Sequence, residues 1–234
     1  MANIDFKLQC WYKAGCNMAS DKCEKTCHRY LEMNFLINNC GMKNAERFLK
    51  PLQPDTRDIP SFLRLQQIKD NIVEYVQEGN NLYVNSECLQ TGKTTWALKI
   101  LYKFFDDVWA GNGFRVRGYF IYVPEFLEKI KSFEYKQSPE FKELDRILKT
   151  TDLVVWDDIS SCTLSPAEQN MLNIYIDKRI IDGKANIYTG LWQTQDNLKT
   201  ALGPKLHARL NSCEQITFQD GKPLENEESE QEQK

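Results

Sequence analysis

The run Thr91-Gly92-Lys93-Thr94-Thr95 and the acidic pair Asp157-Asp158 are the groups of this chain best suited to chemistry on a polyphosphate. Backbone N–H groups at a helix N-terminus cradle phosphate oxygens, a lysine reaches the terminal phosphates, and a threonine hydroxyl holds Mg²⁺. Gly92, Lys93 and Thr94 fit the end of the pattern G-x-x-x-x-G-K-[ST], whereas Glu87 stands where that pattern has its first glycine. Thr95 is grouped with them as a nucleotide contact. A carboxylate at a strand end, such as Asp157, can hold the metal directly or through water, and its neighbour Asp158 can orient the attacking water.

A second cluster could do different chemistry. Five of the eight cysteines fall in the first forty residues, with spacing C-x5-C-x6-C-x3-C across Cys10, Cys16, Cys23 and Cys27. In a reducing compartment such a cluster points to metal rather than disulfides. Zinc takes four soft ligands in a tetrahedron, with His28 and Cys40 as spares, and a segment this short lacks a core of its own.

These groups need a scaffold. An apolar strand at 82–84 leads into the 91–95 turn, after which Ala97, Ile100, Leu101, Phe104, Phe105 and Val108 recur at helical spacing. Further strands are expected at 119–123, 153–156, 186–189 and 215–218, the second of them ending in Asp157-Asp158. One helix is expected over 60–78, another from Pro124, and short ones over 144–148 and 204–210. Ser165-Pro166-Ala167-Glu168 is a capping box that starts a helix running to Gly183, and 131–143 reads as a polar connection. Strands alternating with helices from residue 60 onward imply a three-layer α/β core with a mostly parallel sheet. The expected organisation is a cysteine-rich zinc-binding module at 1–50, a Pro-rich linker at 51–60, a core at 61–219 and an acidic disordered tail at 220–234.

Composition narrows the class. The 234 residues are 41% hydrophobic with a net charge of −3, which argues against a protein that coats polyanions. No apolar run approaches the ~18 residues of a membrane span, so a cytoplasmic protein is expected. In 129–136, KIKSFEYK, lysines interleave with Phe133 and Tyr135, a composition suited to stacking bases while neutralising phosphates. Arg115 and Arg117 form a second basic spot.

Together, 82–101 (LYVNSECLQTGKTTWALKIL), 152–160 (DLVVWDDIS), 186–210 (NIYTGLWQTQDNLKTALGPKLHARL) and the head CWYKAGC…CEKTCHRYLE resemble the bacterial and phage helicase loaders of the DnaC/DnaI type, within the AAA+ class. The resemblance covers residues 10–218 and is nearest to phage or mobile-element versions. It implies a RecA-like AAA+ core that binds ATP and Mg²⁺, contacts single-stranded DNA, docks on a replicative hexameric helicase through its N-terminal module, and assembles as an oligomer. It implies Lys93 as the phosphate-loop lysine, Thr94 and Asp157 at the metal, Asp158 as the water-orienting carboxylate, and Arg209 as the arginine that reaches a neighbouring subunit's γ-phosphate. Leu191 stands where relatives have a polar sensor, so γ-phosphate sensing falls to Thr189 or is lost. Sixteen residues after Phe218 are too few for a full helical lid. The alternatives are a non-hydrolysing adaptor or inhibitor of the host helicase, favoured by Glu87 and Leu191, and a transposon-type AAA+ regulator.

Overall fold

The computed structural model describes residues 10–16, 23–43, 45–53, 56–161, 163–191 and 195–219. The tail at 220–234 therefore lies outside the described residues. Five strands, β1 (Asn81–Ser86), β2 (Gly118–Tyr122), β3 (Leu153–Asp157), β4 (Ala185–Leu191) and β5 (Glu214–Phe218), form one sheet in the order β2-β3-β4-β1-β5. Every neighbouring pair is parallel. Because side chains alternate across a strand, the sequence distributes itself over two faces. Leu82, Val84, Val155, Ile187 and Ile216 enter one core, while Tyr83, Val154, Trp156 and Tyr188 enter the other.

The first face is covered by α1 (His28–Asn39), α2 (Ile59–Asp70), α3 (Ile72–Gln77) and α4 (Lys93–Trp109). Helix α4 buries Trp96, Ala97, Leu98, Ile100, Leu101, Phe104, Phe105 and Trp109. At ~1.5–3 kcal/mol for each large side chain, this apolar stripe fixes the helix, and with it the turn at its N-terminus. The second face carries α5 (Val123–Lys129), α6 (Phe133–Gln137), α7 (Pro139–Thr150), α8 (Pro166–Ile181), α9 (Gln195–Leu202) and α10 (Pro204–Asn211). Both capping-box bonds foreseen at Ser165 and Glu168 are present at the start of α8.

Three expectations need correction. The single helix over 60–78 is two, α2 and α3, parted at Asn71, whose side-chain amide donates to the Gln67 carbonyl at 2.9 Å. The stretch 131–143 is not a plain connection: Ser132 and Ser138 accept from the N–H groups of Tyr135 and Phe141 and start α6 and α7. Helix α9 was not foreseen.

The segment after α1 is continuous with the core. Leu36, Cys40, Met42, Ala45 and Phe48 lie in the same buried cluster as β1 and α4. The 3-10 turn Ala45–Leu49 is pinned to α4 by stacking of Phe48 on Tyr102, with centroids 4.1 Å apart, and by Lys99 Nζ donating to the Phe48 carbonyl at 2.6 Å. Beside β2, the Phe120 N–H donates to the Cys40 carbonyl at 2.9 Å. Gly41 passes there with φ 72°, so close to the Phe120 carbonyl and the Tyr119 ring that no side chain fits.

At the far end of the sheet, Arg179 of α8 is fully buried. Nε donates to Asn186 Oδ1 at 2.7 Å, Nη1 to the carbonyls of Leu148 and Thr151 at 2.9 Å each, and Nη2 to the Ala185 carbonyl at 2.6 Å. Burial pulls this guanidinium down to about 10. One side chain thus ties α7, α8 and β4 together at their ends.

Candidate nucleotide site

The turn between β1 and α4 lies at the carboxyl ends of the strands, where ligands of open α/β sheets bind. Gly92 caps α4 with φ 90°, a left-handed conformation that suits glycine. The Leu52 side chain lies 3.4 Å from where a Cβ at Gly92 would be. Lys93 Nζ turns into the loop and donates to Ser86 Oγ at 2.5 Å and to the Cys88 carbonyl and Thr91 Oγ1 at 3.2 Å each. Burial lowers its pKa, and Asp158 and Asp157 oppose that shift.

Opposite the loop, Asp157 is 5% exposed at the end of β3. Its Oδ1 accepts from Thr94 Oγ1 at 2.8 Å and from Thr189 Oγ1 at 2.7 Å. Thr189 Oγ1 in turn accepts from the Asp158 N–H at 2.9 Å. Asp158 has φ 61°, a left-handed conformation that aspartate tolerates better than most residues. Burial raises the pKa of both carboxyls: hydrogen bonds from Thr189 and Thr94 oppose it at Asp157, and Ser161, Lys93 and Tyr122 oppose it at Asp158.

Lys93, Thr94, Asp157 and Asp158 line one cavity of about 650 Å³. The Thr94 hydroxyl against the Asp157 carboxylate is a hard oxygen pair of the kind Mg²⁺ takes beside a polyphosphate, so the residues fit that ion. When bound, the ion would draw charge from the phosphates. The chain's own part is to hold the two oxygens together and to keep a cation, Lys93, and a second carboxylate, Asp158, at the same cavity. Thr95 is half-buried in the first turn of α4 and is not among the residues lining this cavity. Thr189, 1% exposed, is likewise not at the cavity: its hydroxyl positions Asp157 and Asp158. Leu191 does line it, while its carbonyl accepts from Ser160 Oγ at 3.0 Å. The Glu87 side chain is exposed and is not part of the lining.

Arg209 lies on α10 and donates from Nε to Asp177 Oδ1 of α8 at 3.0 Å, away from the cavity of its own chain. In 129–136, Phe133 is exposed, Tyr135 packs edge-on against Phe141, and Lys129 and Lys131 pair with Glu125 and Glu128. Arg117 is ion-paired with Asp152.

The zinc site is not assembled. Among the described residues no three His, Cys, Asp or Glu side chains converge so as to hold a metal. Cys10, Cys16, Cys23 and Cys27 are free and partly exposed, near enough only for the other three to add to the field that, with burial in the lead, raises the Cys10 pKa. Two residues that sequence reasoning missed are Arg47, which lines the nucleotide cavity from a turn that was not foreseen, and Arg179, a buried charge on a foreseen helix.

The strand order and the site at the β1–α4 turn define a RecA-like AAA+ fold. Three solved structures share this fold. The DnaC helicase loader matches with TM-score 0.59 and 18% identity, over 72% of this chain and 94% of that one. DnaI matches with TM-score 0.55 and 16% identity over 71% and 87%. The replication initiator DnaA bound to AMPPCP and single-stranded DNA matches with TM-score 0.52 and 13% identity, over 83% of this chain and 51% of that one. No protein-family model and no curated protein matches the sequence. Among the described residues no helix is long and apolar enough to cross a membrane.

Proposed function

We propose that the chain is an ATP-dependent helicase loader that binds a replicative hexameric helicase through its N-terminal module, residues 1–50, and delivers it to single-stranded DNA in the cytoplasm. The observation that carries this reading is the bonded set Thr94–Asp157–Thr189–Asp158 facing Lys93, in a fold shared with the DnaC helicase loader. In this reading Lys93, Gly92, Thr94 and Thr95 hold ATP, and Thr94 and Asp157 hold Mg²⁺. Asp158 orients water, Arg209 leaves Asp177 to meet a neighbour's nucleotide in a homo-oligomer, and 129–136 contacts DNA.

The test is ATP turnover by the full chain with single-stranded DNA and a replicative helicase present. Stimulated turnover that Lys93→Ala removes supports loading. ATP binding with turnover at background supports the second reading, a non-hydrolysing adaptor or inhibitor of the helicase, for which Leu191 at the cavity is the favouring observation. Zinc is the ion that the C-x5-C-x6-C-x3-C spacing of Cys10, Cys16, Cys23 and Cys27 would take. Purified protein without zinc would remove that part of the proposal.

A further inference from the structure

The nucleotide cavity has a wall that the phosphate loop does not supply. Besides Lys93, Thr94 and the two aspartates, it is lined by Arg47, from the 3-10 turn Ala45–Leu49 that lies ahead of the core in sequence. Arg47 is exposed, and its side chain makes no salt bridge or hydrogen bond among the described residues. Its neighbours in the turn are fixed: Ala45 and Phe48 are buried, Phe48 stacks on Tyr102, and Lys99 holds the Phe48 carbonyl. The turn is therefore rigidly mounted on the same helix whose first residues form the phosphate loop. A planar fork with five donors and no partner is left at the cavity.

The position of that fork within the cavity is informative. Arg47 lines the same cavity as Thr94, Asp157 and Asp158, the groups at the metal end of the site. A guanidinium there faces the end of a polyphosphate chain farthest from its nucleoside, and planar donor pairs match phosphate oxygens bidentately. Resting on the nucleotide reading of this cavity, we propose that Arg47 binds the terminal phosphate of a nucleoside triphosphate within its own chain. The N-terminal segment then becomes part of the nucleotide site, and the presence of the third phosphate is felt by the segment that follows the cysteine cluster and α1.

Titration of the full chain with N-methylanthraniloyl-ATP and -ADP, in Mg²⁺, tests this. A charge-assisted contact to phosphate predicts that Arg47→Ala weakens ATP by about 10-fold or more, with ADP changed by less than about 3-fold. Arg47→Lys should recover part of the ATP affinity. Lys50→Ala removes the same charge from a neighbouring exposed position outside the cavity lining and should leave both affinities unchanged. Unaltered circular dichroism separates loss of contact from loss of fold. Wild-type ATP affinity in Arg47→Ala, or equal losses for ATP and ADP, overturns the assignment. If Lys93→Ala abolishes binding while Arg47→Ala does not alter it, the nucleotide site stands and Arg47 falls. If the wild-type chain binds neither nucleotide, both fall.

Discussion

Removing the Thr189 hydroxyl is the most informative single change in the site. Thr189→Val keeps the shape of the side chain and deletes one oxygen that donates to Asp157 and accepts from the Asp158 N–H. A hydrogen bond to a carboxylate contributes ~1.5–3 kcal/mol, and an N–H left buried without a partner costs ~1–3 kcal/mol. With overlap between the two, the variant should lose ~3 kcal/mol, equivalent to ~6–12 °C in Tm at ~2–4 °C per kcal/mol for a chain of this size. Urea unfolding of the apo protein measures it. Thr189→Ser, which keeps the oxygen and loses a methyl, should lose only ~1 kcal/mol. Any ATP turnover should fall in kcat more than in KM, because the hydroxyl holds Asp158 rather than touching the nucleotide. A valine variant within ~1 kcal/mol of wild type, or a serine variant equally destabilised, would refute the positioning role.

Two other outcomes follow from buried charge. Arg179→Met leaves the carbonyls of Leu148, Thr151 and Ala185 without their donor, so calorimetry should show a loss of at least ~3 kcal/mol; a loss below ~1 kcal/mol would mean those carbonyls find other partners. Asp157 has a raised folded pKa, so its ionisation costs the apo protein stability that is intact near the unfolded value of ~3.9 and is lost as pH climbs through the folded value. The stability of Asp157→Asn minus that of wild type should therefore rise with pH from that value upward, measured without Mg²⁺ or nucleotide, and a difference that falls with pH would reverse the assignment.

What the sequence disclosed and what it hid divide along a physical line. Strands β1, β3 and β4 are short apolar runs bounded by polar turns, and Asp157-Asp158 at the end of β3 could be placed from local pattern alone. The split of 60–78 could not, because the apolar stripe continues across Asn71 while the backbone does not. Helix α6 was missed because five residues are too short to show a period, and α7 was read only over its C-terminal part, 144–148, although Ser132 and Ser138 were readable as caps. The bonding of Thr189 to Asp157, and of Arg179 to three carbonyls, joins positions far apart in sequence. A periodic reading treats a charged helix residue as solvent-facing, so it passed over Arg179, while Arg47 sits in a 3-10 turn too short to read.

The outer edges of the sheet bear on how this protein can be divided. A parallel sheet with bare edge strands offers unpaired backbone groups to any other extended chain. Here the 40–43 segment lies along β2 through the Phe120–Cys40 bond, and at β5 the Ser61 hydroxyl donates to the Thr217 carbonyl at 2.9 Å while Asp58 accepts from the Gln219 N–H at 2.8 Å. Both guards come from sequence that precedes the first strand. Cutting at residue 50 to isolate the α/β core would strip the guard of β2, and cutting at residue 60 would also remove Asp58 from β5, leaving edge backbone groups open to pairing. Expression boundaries for the core therefore belong upstream of Leu36, because sequence ahead of the first strand covers backbone groups on both outer strands of the sheet.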